Sequence, residues 1–454
     1  MGRLLVLCVV VSGVLFTASA EWIVEEISQT GTGDGQTAAI SLGSTDLPRI
    51  AFGDPGTGAK YIKKNTGSGW TTENIYLAYY GNCEYFDMVT DENDISHVSF
   101  SRIGDLYYAE QDSSSADWNV EYFYQSYGLW NSIGLNSIGY PGISCQTYTD
   151  HTLHYTFWNG SSWAFESINS GVDAGSYNSL ATEGVNKAHI AYSIYSPVHG
   201  LKYATRDETG VWSTSYVDTS MTAEPVGVSL VLNSNNYPSI SYTTTNELRY
   251  ASWNGSSWSV ETVLSIATDD TKETGQNAYG TSLVLDQWDC PHIAHCSLNG
   301  DSLLYSWNNG TGWQTESICP LGYPDEYGDP DMVLDSQNRP HIVFYRQRLV
   351  YAFNDEDVSV EHSSAALEPI VFNTSVNPFY GSLNLTFNLP EPSHVNLTVY
   401  DLQGRTVNDL LSDFTPQGDH IVNWTPEQSV PPGEYIIRLN TMNRTFSRKV
   451  VYLH

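Results

Sequence analysis

The sequence predicts an all-β protein: a seven-bladed β-propeller built from four-stranded blades, followed by a small β-sandwich. Two observations predict this architecture. A short segment of the form Trp-x-x-Glu-x-(Ile/Val) recurs through most of the chain, and a different pattern of alternating strands begins near residue 372. Aromatic motifs that repeat at a regular spacing of this size are typical of propeller blades.

Each repeat contains four predicted strands. The Trp-x-x-Glu segment is the last of them, and two apolar arms precede it, for example Pro238–Tyr242 and Leu248–Ala251. A further arm stands ahead of these at Ser229–Leu232 and Ser282–Asp286, and turns rich in Gly, Asn and Ser join the arms. The units are spaced by about 48 residues, and a degenerate copy near Val358 completes the seventh. The tryptophans that mark the units are Trp22, Trp70, Trp118, Trp163, Trp212, Trp258 and Trp313.

The order of the strands indicates how the ring closes. The chain begins with the last strand of a unit, at Trp22, before any other predicted strand. We therefore expect the N-terminal strand to complete the last blade, which leaves no free sheet edge. Blades splay apart towards the outside, so the repeated tryptophans are expected to fill the gaps there. His189, His292 and His341 occupy one equivalent slot and are expected to be structural hydrogen-bond partners.

The charge of the chain restricts its ligands. Its 454 residues include 51 acidic and 19 basic side chains, which gives a net charge of -32. This excess repels nucleic acid and leaves cations or uncharged glycans as ligands. No metal, cofactor or catalytic residue is predicted, because no zinc, calcium, phosphate-loop or nucleophile-elbow pattern is present. The acidic runs Asp91–Asp94 and Asp325–Asp331 are interpreted as solvated surface.

Residues 1–20 have the pattern of a signal peptide, with an apolar run from Leu4 to Phe16 and the cleavage signal Ala18–Ala20. The run is shorter than the roughly 20 residues of a membrane span, so no membrane insertion is expected. We expect a propeller over 21–363, a linker over 364–371 and a C-terminal domain over 372–454. Five cysteines follow the signal peptide, and Cys290 and Cys296 lie too far apart on one predicted strand to pair.

The C-terminal domain carries its own ordered motifs. They are Asn377-Pro-Phe379, Leu389-Pro390, Val399-Tyr-Asp-Leu-Gln-Gly-Arg405, Pro431-Pro-Gly-Glu-Tyr435 and Arg448-Lys-Val-Val451. This series resembles the Ig-like sorting domains of the type IX secretion system of Gram-negative bacteria. The resemblance implies that residues 372–454 engage the secretion machinery, and that the protein is secreted or attached to the outer cell surface. An ordinary Ig-like β-sandwich is the alternative.

A weaker resemblance concerns the turn before the outer strand. Ser306–Trp313 is similar to the Asp-box hairpin of sialidase-type propellers, with Asn308 where that motif has Asp. A sialidase also needs an arginine cluster to hold the carboxylate of its sugar. Three arginines fall in loops between the second and third arms of units 2 and 7 and could converge on one face: Arg102, Arg346 and Arg348.

Aromatic residues are dense in the connections from one unit to the next. The ligand-binding candidates among them are Tyr79, Tyr80, Tyr124, Tyr127 and Trp130. Flat aromatic faces beside carboxylates and amides suit sugar rings. The alternative is that these tyrosine and tryptophan side chains pack long loops against the propeller. The sequence thus favours a non-catalytic binding module for a glycan or a surface protein. A glycan-active hydrolase or lyase and a protein adhesion scaffold are the alternatives.

Overall fold

The architecture was analysed in a computed structural model that describes residues 22–27, 37–354 and 372–453. Gaps within these ranges fall at 55, 68, 79–81, 113–114, 116, 124–127, 169–172, 197, 266–279, 299–300, 309–311, 322–328, 347, 376, 390–392, 402–404, 428–429 and 442–443. The segment predicted to be a signal peptide lies outside the described residues. Among the described residues, no helix is long and apolar enough to cross a membrane.

Twenty-eight strands form the propeller. The first strand, β1, spans Trp22–Glu26. Blade 1 contains β2 (Ala38–Leu42), β3 (Pro48–Asp54), β4 (Gly58–Lys64) and β5 (Trp70–Leu77). Blade 2 contains β6 (Cys83–Thr90), β7 (Ser96–Arg102), β8 (Asp105–Gln111) and β9 (Trp118–Tyr122). Blade 3 contains β10 (Leu129–Leu135), β11 (Pro141–Gln146), β12 (Leu153–Trp158) and β13 (Trp163–Ser167).

The remaining blades follow the same order. Blade 4 contains β14 (Ala174–Glu183), β15 (Lys187–Ile194), β16 (Gly200–Arg206) and β17 (Trp212–Asp218). Blade 5 contains β18 (Val226–Leu232), β19 (Pro238–Thr243), β20 (Glu247–Trp253) and β21 (Trp258–Ser265). Blade 6 contains β22 (Thr281–Leu285), β23 (Pro291–Cys296), β24 (Ser302–Asn308) and β25 (Trp313–Pro320). Blade 7 contains β26 (Asp331–Leu334), β27 (Pro340–Tyr345), β28 (Leu349–Asn354) and the N-terminal β1.

Each blade is a four-stranded antiparallel sheet, and the predicted seven-bladed architecture is confirmed. Strand β1 pairs with β28 in antiparallel register, with Trp22 opposite Asn354 and Glu26 opposite Val350. The expectation that the N-terminal strand completes the last blade is therefore confirmed. The free edge of β28 is covered by a strand from the other end of the propeller.

The repeated tryptophans fill the gaps between blades, as predicted. At each junction the outer-strand Trp packs edge-to-face on a third-strand Tyr of the preceding blade, with ring centroids 5.1–5.5 Å apart. The pairs are Trp70–Tyr351, Trp118–Tyr61, Trp163–Tyr108, Trp212–Tyr155, Trp258–Tyr203, Trp313–Tyr250 and Trp22–Tyr305. This is a geometry that aromatic rings prefer, and it buries large apolar surfaces where blades splay.

The equivalent histidines are structural, also as predicted. His292 Nδ1 lies 2.5 Å from the hydroxyl of Tyr305, and His341 Nδ1 lies 2.6 Å from the hydroxyl of Tyr351. His189 makes the same contact with Tyr203. Each imidazole thus forms a hydrogen bond with the buried hydroxyl of the tyrosine on which the tryptophan of the next blade packs.

The C-terminal domain is a two-layered β-sandwich. Its strands are β29 (Phe372–Thr374), β30 (Phe379–Tyr380), β31 (Leu383–Leu389), β32 (Ser393–Tyr400), β33 (Thr406–Thr415), β34 (Gly418–Trp424), β35 (Gly433–Thr441) and β36 (Arg444–Leu453). The sheets β29-β31-β34 and β30-β36-β35-β32-β33 enclose a core around the fully buried Trp424. None of the five described cysteines forms a disulfide, so Cys290 and Cys296 are not bridged to each other.

Candidate functional site

The candidate site lies where the seven inner strands begin, around the propeller axis. One residue of each inner strand occupies an equivalent ring position. These residues are Ala39, Asp87, Ser132, Ser179, Ser229, Ser282 and Asp331. At six of the seven junctions, the side-chain oxygen at this position accepts a backbone N–H from the next inner strand, over 2.8–3.1 Å. The ring of oxygens therefore fastens neighbouring blades at the axis.

Blade 1 is the exception. Ala39 has no side-chain oxygen, and the amide of Met88 donates instead to Asp87 Oδ1 beside it, over 2.8 Å. The two carboxylates of the ring, on Asp87 and Asp331, consequently flank the small alanine on either side. The negative charge of Asp87 acts on Asp331 across the alanine and raises the pKa of Asp331.

Two residues before the ring position, five inner strands adopt a left-handed backbone conformation. Four of these strands also contain a register shift at this point. The residues and their φ angles are Tyr85 (53°), Trp130 (50°), Tyr177 (46°), Gly227 (60°) and Gly280 (64°). Glycine adopts this conformation without cost, whereas bulky side chains do so rarely and under strain. Blades 2, 3 and 4 thus hold aromatic residues where the backbone favours glycine.

The three aromatic residues form a continuous wall at the axis. The ring centroids of Tyr85 and Trp130 are 4.7 Å apart, and those of Trp130 and Tyr177 are 3.9 Å apart. All three side chains are half-buried. They line one side of a cavity of about 180 Å³, which we call the mouth.

The glycines of blades 5 and 6 shape the opposite side of the mouth. A Cβ atom at Gly280 would lie 2.2 Å from Asp329 Oδ1, so only glycine leaves room for this carboxylate. Asp329, Asp331 and Asp87 all line the mouth. Among the described residues that line it, none is an arginine or a lysine. The mouth therefore combines an aromatic wall with carboxyl groups, one of which, Asp87, follows Tyr85 on the same strand.

Burial shifts the acidity of these carboxyl groups. It raises the pKa of Asp331 to about 7, with a further contribution from the charge of Asp87, and it raises the pKa of Asp329 to about 6. The pKa of Asp87 is also raised by burial, against the hydrogen bonds that it accepts from Ser132, Ile133 and Met88. Near neutral pH the mouth can thus hold protonated and ionised carboxyl groups together.

Two asparagines add amides to the wall. Asn178 is held by hydrogen bonds from its Nδ2 to the carbonyl of Gly175, over 2.9 Å, and from Ser144 to its Oδ1, over 2.5 Å. Asn131 is only 7% exposed, and its Oδ1 has no hydrogen-bond partner among the described residues. An unsatisfied buried acceptor is costly in a folded protein, so this atom is available to a ligand hydroxyl.

The structure brings one of the sequence candidates, Trp130, to the mouth. Tyr79, Tyr80, Tyr124 and Tyr127 lie outside the described residues. The mouth residues Asp87, Asn131 and Asn178 were missed, because their inner strands carry the weakest part of the repeat.

Two of the three candidate arginines share a binding partner. Arg102 lies over the ring of Tyr76 in blade 2, 5.9 Å from its centroid. Arg346 and Arg348 both contact Glu26 of blade 7, over 3.7 and 3.2 Å.

The interpretation of Asp325–Asp331 as solvated surface was wrong for its described end. Asp329 and Asp331 line the mouth, where Asp331 accepts the amide of Ile40 over 2.8 Å. In the other acidic run, Asp94 accepts the amide and hydroxyl of Ser44 over 2.7 and 2.8 Å and fastens blade 2 to blade 1. These acidic residues therefore have structural partners that the local sequence does not reveal.

Comparison with known families identifies the C-terminal domain. Residues 377–452 match the secretion system C-terminal sorting domain. This sorting domain makes the protein one that is secreted or attached to the outer cell surface, as the sequence motifs imply. It also implies interaction with the type IX secretion machinery. A comparison of the whole chain with curated proteins found no match.

Among solved structures, the chain is similar to AofleA from Arthrobotrys oligospora, with 10% identity over 67% of this chain and 91% of that one and a TM-score of 0.45. It is similar to the Aleuria aurantia lectin in complex with Fucalpha1-6GlcNAc, with 15% identity over 65% and 99% of the two chains and a TM-score of 0.44. It is also similar to the polysaccharide lyase Uly1, with 9% identity over 72% and 90% and a TM-score of 0.41.

Proposed function

We propose that the propeller, residues 21–363, is a non-catalytic carbohydrate-binding module that linker 364–371 joins to the sorting domain, and that the mouth binds an uncharged sugar. The observation that carries this proposal is the aromatic wall of Tyr85, Trp130 and Tyr177 in one cavity with the carboxylates of Asp87, Asp329 and Asp331. A sugar ring has an apolar C–H face that packs on aromatic rings and hydroxyls that donate to carboxylates.

The size of the mouth limits how much of a glycan it can bury. Its volume of about 180 Å³ is below the roughly 300–1,000 Å³ of sites that enclose drug-sized ligands. One sugar ring would therefore enter, and the rest of the glycan would extend along the face that carries the blade connections. Asn131 lines the mouth, and its Oδ1, which has no hydrogen-bond partner among the described residues, supplies an acceptor there.

The strained backbone supports a role in binding. Gly227 and Gly280 show that the fold accepts glycine at this position, yet three successive blades hold a Tyr or Trp there. A left-handed conformation at a non-glycine residue costs about 1–3 kcal/mol of backbone strain that glycine avoids. A ligand that packs on the rings accounts for side chains that the fold does not need.

The charge of the mouth selects among sugars. Three carboxylates without a described arginine or lysine disfavour sialic and uronic acids and favour neutral glycans. A sialidase would require the opposite arrangement.

A hydrolase acting on neutral glycans is the second candidate, and one observation favours it. Asp331 has a pKa of about 7 and lies near Asp87, and glycosidases use one protonated and one ionised carboxyl group. Both carboxylates, however, accept the backbone N–H groups that join the inner strands. We therefore favour a structural use of the pair and binding without turnover.

A glycan array probed with the purified full chain tests the proposal. We expect retention of neutral glycans, loss of that retention in Trp130→Gly, and intact glycan after prolonged incubation. Trp212→Phe is the matched control, because Trp212 lies at the outer edge of blade 4. Released sugar that disappears in Asp331→Asn would establish the hydrolase, and binding of acidic glycans alone would refute both candidates. An array without any bound glycan would favour a protein adhesion scaffold.

A further inference from the structure

A second cavity lies between blades 2 and 3, on the face opposite the mouth. The mouth is at the start of the inner strands, whereas this cavity is lined by the turns at which the inner strands end. We call it the blade 2–3 groove, and its volume is about 700 Å³. Its lining includes residues 91–93 and 135–141 and the side chains of His97, Tyr108, Glu110, Glu121, Trp158 and Trp163.

The groove lies at a junction where a hydrogen bond found at three others is missing. In three other junctions the outer-strand Trp donates its indole N–H to the motif Glu of the preceding blade. These bonds are Trp22 to Glu316 at 2.7 Å, Trp70 to Glu25 at 3.0 Å and Trp212 to Glu166 at 2.8 Å. Here the corresponding residues are Trp163 and Glu121. Trp163 Nε1 is buried and has no partner among the described residues, and Glu121 is exposed to the groove. The indole N–H is also buried without a partner among the described residues at Trp118 and Trp313.

A buried histidine contributes a second unsatisfied group. His97 is 5% exposed, and its Nδ1 lies 2.6 Å from the hydroxyl of Tyr108. Because Tyr108 donates its single proton to Glu110 over 3.0 Å, Nδ1 of His97 must donate to Tyr108. The neutral ring then presents a lone pair at Nε2, which has no hydrogen-bond partner among the described residues and lies 4.0 Å from Asp91 Oδ2.

These groups define the chemistry of a ligand. The groove offers one buried donor, Trp163 Nε1, and many acceptors, namely His97 Nε2 and the carboxylates of Asp91, Glu92, Glu110 and Glu121. No arginine or lysine occurs among its described lining residues. The rings of Trp158 and Trp163 lie 5.9 Å apart at 67° and add apolar surface beside the acceptors. A ligand with several hydroxyl donors and an apolar face satisfies all of these groups.

We propose that the blade 2–3 groove is a second binding site, for a neutral hexose or deoxyhexose unit of a glycan. Two sites on opposite faces would let one propeller bridge two glycan chains. This site does not depend on the mouth, since the two share no lining residue.

The test titrates the purified full chain with methyl α-D-mannopyranoside, methyl β-D-galactopyranoside, methyl α-L-fucopyranoside and methyl β-D-glucuronopyranoside, monitored by calorimetry. Trp163→Phe removes the unpaired N–H and keeps an aromatic ring, and Glu121→Gln removes one carboxylate. Trp212→Phe is the matched control, since its indole N–H is already bonded to Glu166. Trp130→Gly removes the mouth site, so any binding that remains in this variant belongs elsewhere.

We expect at least one neutral glycoside to bind in Trp130→Gly. Trp163→Phe in that background should weaken this binding at least fivefold, and because Trp163 packs on Tyr108 and Phe123 it should lower the melting temperature no more than Trp212→Phe does. Trp212→Phe in the same background should lower the melting temperature without affecting binding. The proposal is overturned if no neutral glycoside binds to Trp130→Gly, if only the glucuronide binds, or if Trp163→Phe leaves the affinity unchanged. Failure of the mouth proposal is recognised separately, because Trp130→Gly would then bind as the unaltered chain does.

Discussion

Trp70 of blade 1 donates its indole N–H to Glu25 of the N-terminal strand, with Nε1 3.0 Å from Oε1. Lys64 adds a contact of 3.3 Å to the other oxygen of the same carboxylate. Glu25 belongs to β1, which completes blade 7, so this hydrogen bond joins the last blade to the first. The same bond, from the Trp of one blade to the Glu of the preceding blade, also forms at Trp22 and Trp212.

Removal of Trp22–Ile27 is expected to destabilise the propeller strongly. The deletion exposes the edge of β28, removes Trp22 from the ring of Tyr305 and leaves the indole of Trp70 without its acceptor. Loss of a buried tryptophan alone costs about 3–5 kcal/mol. Thermal unfolding followed by circular dichroism measures the effect, with Glu25→Gln as the milder comparison. A melting curve like that of the intact chain would contradict this account of ring closure.

His341→Ala tests the structural role of the equivalent histidines. His341 is buried and satisfies the hydroxyl of Tyr351, so the alanine variant leaves this hydroxyl unpaired in the interior. We expect a loss of about 1–3 kcal/mol in the free energy of unfolding. His151→Ala, at an exposed position, should have little effect in the same denaturant titration. Unchanged stability of His341→Ala, or loss of glycan binding without loss of stability, would argue against a structural role.

The architecture was predictable because its signals are local. The outer strand carries Trp and Glu in a fixed spacing, and the packing of Trp22 on Tyr305 or of Trp70 on Tyr351 repeats the same contact in each blade. The closure of the ring followed from the position of Trp22 at the start of the first strand. These features depend on the spacing of Trp and Glu in the outer strand, which recurs from blade to blade.

The mouth was not predictable in the same way. Tyr85 and Trp130 resemble other aromatic residues of the connections, and their left-handed conformation is not visible in the sequence. Asp331 stands in an acidic run typical of surfaces, and only the closed ring places it near Asp87. Side chains from seven strands, far apart along the chain, meet at the axis, so no single stretch of sequence reports the site.

The carboxyl group of Asp331 makes stability depend on pH. Its pKa of about 7 in the folded protein lies above the ordinary value of 3.8 for an aspartate, so the folded state binds the proton more tightly. Its contribution to stability is therefore complete below about pH 4 and is lost as the pH rises through 7. We expect the free energy of unfolding of the unaltered chain, relative to Asp331→Asn, to fall between pH 4 and pH 8. A constant difference across this range would show that the pKa of Asp331 is not raised.

The sorting domain predicts where a truncated chain stops. A chain that ends at Ala365 lacks residues 377–452 and should be absent from the cell surface and the medium of its natural host. Fractionation with an antibody against the propeller measures its location, and the full-length chain is the control. Truncated protein at the surface or in the medium would contradict the export route.

The affinity of a neutral glycan for the unaltered chain and for Trp130→Gly tests the central claim most directly. Glycine suits the φ angle of 50° at this position, which offsets part of the packing lost with the indole, so the variant should still fold while the middle of the aromatic wall is removed. Truncation of a binding hot spot typically costs more than about 1 kcal/mol, and with two neighbouring rings also losing their contact we expect the dissociation constant to rise at least tenfold. Equal dissociation constants for the two proteins, with equal melting temperatures, would contradict the claim that the mouth is the site.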